Sequence, residues 1–188
     1  TIFDAERELF HSVEKSYELY LLLLEMLPEI SHQAFLRADL MEQRISLEKS
    51  EALQYKPLAN NAICKFLEEN KLFQAKLQKH SLNWQDNMKL VRDFMAQTIE
   101  SDIYKEYIKE PQTFAGDKKI ALFIITDLLP ASESLDFYLE DKSIYWNDDI
   151  EFLLEMVVKS IKTIDENLPG KFDLHSQFNA EEDRYFML

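Results

Sequence analysis

Apolar positions recur at three- and four-residue intervals along most of this chain, and little of it alternates as a half-buried strand would. Leu9, Val13, Tyr17, Leu21, Leu24 and Leu27 form the first stripe, with Asp4 as an expected N-cap and Glu6 and Glu8 in the first turn. This spacing predicts an amphipathic helix from Asp4 to about Leu27. Leu19 to Leu24 is continuously apolar between Glu18 and Glu25, which reads as a buried helix centre and is too short for a membrane span. Pro28 breaks this helix, opens a second with the stripe Ile30, Ala34, Ala38, Met41 and Ile45, or kinks one continuous helix.

Gln54 to Asn61, with Pro57 and the Asn60-Asn61 pair, reads as a connection. A third helix is expected from about Ala62 to His80, burying Ile63, Phe66, Leu67, Phe73 and Leu77. Asp86 or Asn87 caps the next, whose stripe Met88, Val91, Met95, Ile99, Ile103 and Tyr107 ends before Pro111. Asp117 to Leu129, strongly apolar and stopped by Pro130, predicts a short buried helix. Ser132 or Ser134 opens a helix through Leu139. Ile150, Leu153, Leu154, Val157, Ile161 and Ile164 mark another, ended by Leu168-Pro169-Gly170. Phe172, Leu174 and Phe178 then lead to Glu181-Glu182-Asp183 and a further helix that stops mid-pattern at Leu188. Thr1 is not an initiator, so the sequence is expected to be a piece of a longer protein.

The pattern also repeats. Ser81-Leu82-Asn83-Trp84-Gln85-Asp86-Asn87-Met88 matches Ser143-Ile144-Tyr145-Trp146-Asn147-Asp148-Asp149-Ile150. In the same register Phe73 pairs with Leu135, Leu77 with Leu139, Val91 with Leu153, Met95 with Val157 and Ile99 with Ile161. Apolarity is kept while the chemistry is not, which describes a helix, a Trp-bearing connection and a second helix used twice rather than a duplicated active site. Two glycines and five prolines in 188 residues supply few turns, so an all-α multi-helix bundle follows. One domain is expected over 1–188: long helices in 1–53, a first repeat unit in 62–110, a buried helix and second unit in 117–165, and a connection into a further helix in 166–188.

Charge narrows the function. Lys and Arg number 21 against 35 Asp and Glu, a net −14 that repels phosphate and attracts basic partners. Lys65, Lys76 and Lys79 would make a small basic stripe on the third helix, read as a solvated face with RNA contact as the sharper alternative. The single cysteine, Cys64, sits between Ile63 and Phe66 and reads as a small buried apolar residue. With no intrachain disulfide, signal peptide or membrane span in the sequence, the expected compartment is cytoplasmic. Trp84 reads as packing within its helix pair; Tyr145 and Trp146 do the same or anchor a partner surface.

Catalytic patterns are weak. Glu8 with His11 and Glu29 with His32 have the Glu-x-x-His spacing of di-iron bundles. On one continuous helix the pairs lie about 31 Å apart, and a turn at Pro28 still leaves His11 and His32 roughly 20 Å apart. No histidine has a convincing nucleophile partner, Ser176 being only the neighbour of His175, and Gly116 and Gly170 stand alone rather than in a phosphate loop. No enzyme, cofactor or metal site is expected.

Several strings resemble a known family. Leu135-Asp136-x-x-Leu139, Tyr145-Trp146-x-Asp148-Asp149 and the helix closing on Lys159-Ser160-Ile161 look like a helix pair of the NusB transcription antitermination family. Glu100 to Tyr107, Ser143 to Asp149 and Glu181 to Arg184 resemble a long bacterial subtype with an added helical region. The resemblance implies a helical adaptor that binds boxA RNA with a small ribosomal protein and helps RNA polymerase resist termination. In that family RNA contact relies on a basic N-terminal region, and in the long subtype much of the recognisable core follows the added segment. The resemblance places neither on this sequence, so it implies that these residues act as scaffold or protein contact. The alternatives are a helical interaction or oligomerisation module with no RNA role and, remotely, a carboxylate metal enzyme on Glu8, His11, Glu29 and His32.

Overall fold

In the computed structural model, which describes residues 1–43, 49–142 and 146–174 and only the backbone of 49, 50 and 146–149, one long helix organises the molecule. Helix α1, Ile2–Glu42, runs 41 residues without interruption, about 60 Å at the helical rise. Thr1, rather than Asp4, is its N-cap residue. The Thr1 hydroxyl donates to Asp4 at 2.8 Å, and Asp4 lies in the first turn, where a carboxylate suits the positive helix end.

Pro28 therefore neither ends α1 nor starts a new helix. It withholds an N–H from the Leu24 carbonyl, but Leu19 to Pro28 are buried without interruption, so tertiary packing holds this stretch helical. The expected buried centre is thus present, threaded through the bundle.

Short helices wrap it. The connection at 54–61 contains one helical turn, α3, Lys56–Ala59, which follows the equally short α2, Lys49–Ala52. The expected helix over 62–80 is two helices, α4 (Ala62–Glu69) and α5 (Lys71–Lys79). Asn70 takes an extended conformation between them and caps α5 by accepting from the Phe73 N–H at 2.9 Å. Ser101 does the same to the next stripe, dividing α6 (Met88–Glu100) from α7 (Asp102–Tyr107) and accepting from the Tyr104 N–H. Asn87 is the N-cap of α6; Asp86 is engaged elsewhere.

The apolar stretch before Pro130 starts earlier than the pattern suggests, because Thr113 caps α8, Phe114–Phe123, through the Gly116 N–H. It then widens into a π-turn over Ile124–Leu128. Ser132, not Ser134, accepts from the Leu135 N–H ahead of α9, Glu133–Lys142. Helix α10, Trp146–Lys162, follows, and Pro169–Lys171 forms a short 3₁₀ turn.

The repeat is visible in these boundaries. Lys71 and Glu133, which correspond, open α5 and α9, while Glu100 and Lys162, which also correspond, close α6 and α10. All ten paired apolar residues from Phe73 and Leu135 to Ile99 and Ile161 are buried in one core. The copies differ at the connection. Trp84 precedes a 3₁₀ turn, Gln85–Asn87, whereas Trp146 is itself the first residue of α10.

Packing is all helix on helix, with α1 against α3, α4, α5, α6 and α10, and α8 against α4, α7 and α10. There is no strand among the described residues. None of the described helices is long and apolar enough to cross a membrane.

Candidate functional site

The three lysines do not form the stripe expected of one helix. Lys65 lies on α4 and Lys76 and Lys79 on α5, and the extended residue Asn70 interrupts the helical phase that would have aligned them. Lys65 and Lys79 are exposed and Lys76 half-buried. Tyr145 lies outside the described residues, as do His175 and Ser176; Trp146 opens α10, and its side chain lies outside the described structure.

Trp84 is fully buried, and its indole N–H donates to the Leu22 carbonyl in the middle of α1 at 2.9 Å. Its ring packs against Tyr138 of α9 with centroids 5.3 Å apart. Asp86 then accepts from the Tyr138 hydroxyl at 2.5 Å and from the Lys142 ammonium at 2.6 Å. Those two bonds, Lys142 first, hold its carboxyl below the usual carboxylate range. The connection of the first repeat unit is therefore fastened to the first helix of the second.

The Glu-x-x-His pairs share one unbroken helix, so the separation along α1 of about 31 Å stands. A different group is closer. Glu14 and Glu18 of α1 and His80 at the end of α5 bring one ligand-type atom each to within 4.8 Å of one another. His80 Nδ1 lies 3.2 Å from Glu18 Oε1, the Lys15 ammonium lies 3.2 Å from Glu18 Oε2, and the His80 ring meets the Tyr17 ring edge-on. Both Glu18 oxygens are thus paired within the chain, the arrangement of a strut between α1 and α5.

Among the described residues, two acids are buried. Asp117 of α8 is 3% exposed and fully served: Oδ2 accepts from the Ala62 N–H at 2.9 Å, and Oδ1 from Gln112 at 3.0 Å and from the Tyr107 hydroxyl. Asn61 completes the exchange. Its amide donates to the Asp117 carbonyl, and its Oδ1 caps α4 through the Ile63 and Cys64 N–H groups. Burial, then the bond to Asp117, pushes the Tyr107 hydroxyl well above the usual phenol range. Every partner is satisfied, as in a structural junction.

Glu25 differs. It sits in the fully enclosed part of α1 at 8% exposure, and its Oε2 has no hydrogen-bond partner among the described residues. Burial, followed by the neighbouring carboxylates of Glu29 and Glu68, pushes its carboxyl up to about 8. Cys64 is buried, and desolvation raises its thiol, which suits the small apolar reading.

Neither acid's burial is legible in the sequence pattern. Asp117 acts on Asn61 and Ala62, far away in the chain, so no local spacing marks it. Glu25 was marked, as an acid interrupting an apolar run, but reads locally as the end of a buried stretch that in fact continues to Pro28. Comparison of the chain with protein families, with curated proteins and with solved structures finds no match in any of the three.

Proposed function

We propose that this chain is a helical region of a NusB-like transcription antitermination factor, working in the cytoplasm as scaffold and protein contact rather than as the RNA-reading surface. The observation that carries the assignment is the string Ser143 to Asp149 set inside a repeated helix–Trp–helix unit, together with the matching strings at Glu100 to Tyr107 and Glu181 to Arg184. The net charge of −14 supports the division of labour, since RNA affinity depends on Lys and Arg displacing counterions. Lys65 lies on α4 and Lys76 and Lys79 on α5, rather than all three on one helix. A small, basic ribosomal protein and the polymerase complex are the proposed partners, and boxA RNA is assigned to other parts of such a factor.

The same charge favours a second reading, a helical interaction module with no part in RNA binding. Reconstituted transcription through a terminator, with and without a boxA leader, separates the two. The full-length gene product is expected to raise read-through only when boxA is present, while this chain alone does not. A full-length product with no boxA-dependent effect overturns the antitermination reading and leaves the module.

A further inference from the structure

We infer that Glu14 and Glu18 of α1 and His80 at the end of α5 form a binding site for one Zn²⁺ ion, which clamps α5 to the long central helix. The inference goes beyond the proposed function and does not depend on it.

The site follows from helix geometry and packing. Glu14 and Glu18 are four residues apart, so their side chains lie one turn apart on the same face of α1. His80 is the C-cap residue of α5, which packs on α1 and buries Phe73 and Leu77 in the core that α1 runs through. That packing brings one ligand-type atom from each of the three side chains to within 4.8 Å of the other two. His80 Nδ1 and Glu18 Oε1 are 3.2 Å apart. Zinc bonds of about 2.0–2.2 Å to nitrogen and oxygen place neighbouring tetrahedral ligands about 3.3–3.6 Å apart. This pair already has the spacing of two ligands on one ion, and Glu14 reaches the third position by a shift of about 1 Å.

The surroundings suit a cation at this point. Lys15 pairs with Oε2 of Glu18, not with the Oε1 that faces His80, so an ion between Oε1 and Nδ1 need not displace it. Glu14 is half-buried yet enters no hydrogen bond or ion pair among the described residues. A carboxylate partly removed from water without a partner lacks compensating positive charge. Tyr17 holds the His80 ring edge-on, with Nδ1 toward the carboxylates and Nε2 left to carry the ring proton. The His80 and Glu18 side chains are 12% and 18% exposed, which shelters the charges while leaving an approach from solvent. The donor set selects the ion. Mg²⁺ and Ca²⁺ take oxygen ligands, whereas one imidazole nitrogen with two carboxylate oxygens suits zinc, with water in the fourth position.

The test is isothermal titration of zinc chloride into the untagged 188-residue chain, previously stripped with a chelator. One ion per chain is expected. Glu14→Gln and His80→Gln should each weaken binding by at least about tenfold. His11→Gln, which removes the histidine of the exposed Glu8–His11 pair, should leave it within about twofold. Thermal melts followed by circular dichroism add a second readout, because an ion that binds only the folded chain raises its melting midpoint. Zinc should raise the midpoint of the parent and not that of Glu14→Gln, whose lost carboxylate has no partner in the fold to disturb. Absence of saturable one-to-one binding would overturn the assignment. So would binding that survives both Glu14→Gln and His80→Gln, binding lost with His11→Gln, or an equal rise in midpoint for parent and Glu14→Gln. The titration can fail while boxA-dependent read-through succeeds, so the two conclusions fall separately.

Discussion

Glu25 carries the sharpest consequence of a single side chain. Its carboxyl titrates near 8 in the folded chain against an ordinary value of 4.5, because burial disfavours the charged form and Glu29 and Glu68 add repulsion. Between those values the folded state holds a proton that the unfolded chain releases, so stability is highest below about pH 4.5 as far as this group is concerned and falls as pH rises through 8. Glu25→Gln keeps the shape and removes the charge. Urea melts should show it more stable than the parent by about 1–3 kcal/mol near pH 9, with little difference near pH 5. A parent and variant with parallel pH profiles would show that Glu25 is not held neutral by its surroundings. Ser81 offers a gain instead. Its φ of 54° is left-handed, and it follows the C-cap of α5 with Ser81 N–H bonded to Gln78 and Leu82 N–H to Leu77. Ser81→Gly should raise stability by about 1 kcal/mol, read from the same melts.

The helices themselves show which signals a sequence carries. Repeated apolar spacing located the long stretches and the two-copy register, because burial of one face is a sum over many residues and tolerates local noise. The breaks at Asn70 and Ser101 were hidden in those continuous stripes, since a single capping residue changes the backbone without disturbing the apolar period. Both are residues that compete for backbone N–H groups, and that was the available signal. Asn70→Ala removes the bond to the Phe73 N–H and should cost about 1 kcal/mol in a denaturant melt; no loss would mean the break is fixed by packing alone. Trp84→Phe tests the tie between connection and central helix. Losing the indole donor to Leu22 leaves a smaller ring in a fully buried site, for an expected loss of about 2–3 kcal/mol.

Across the molecule, one buried cluster takes in residues from Tyr17 of α1 to Leu174, and the Trp84–Tyr138 and Asp86–Lys142 contacts join the repeat units. Far-UV circular dichroism and tryptophan fluorescence should therefore report coincident unfolding transitions; separated midpoints would mean that the copies melt independently. The candidate sites were less visible in the sequence than the fold was. The Asp117 junction depends on how α8 meets the turn before α4, and Glu14, Glu18 and His80 come together only once α5 packs on α1. Overall charge, by contrast, needs no fold, and it bears on the proposal that this chain is a region of an antitermination factor other than its RNA-reading surface. The most direct test is anisotropy of labelled boxA RNA with this chain and with the full-length product, with and without the small ribosomal partner, across a salt series. Salt-sensitive binding by the full-length product and none by this chain is the expected result. Salt-sensitive binding by the chain itself would contradict it and turn attention to Lys65, Lys76 and Lys79, and absence of binding by either would contradict the antitermination assignment.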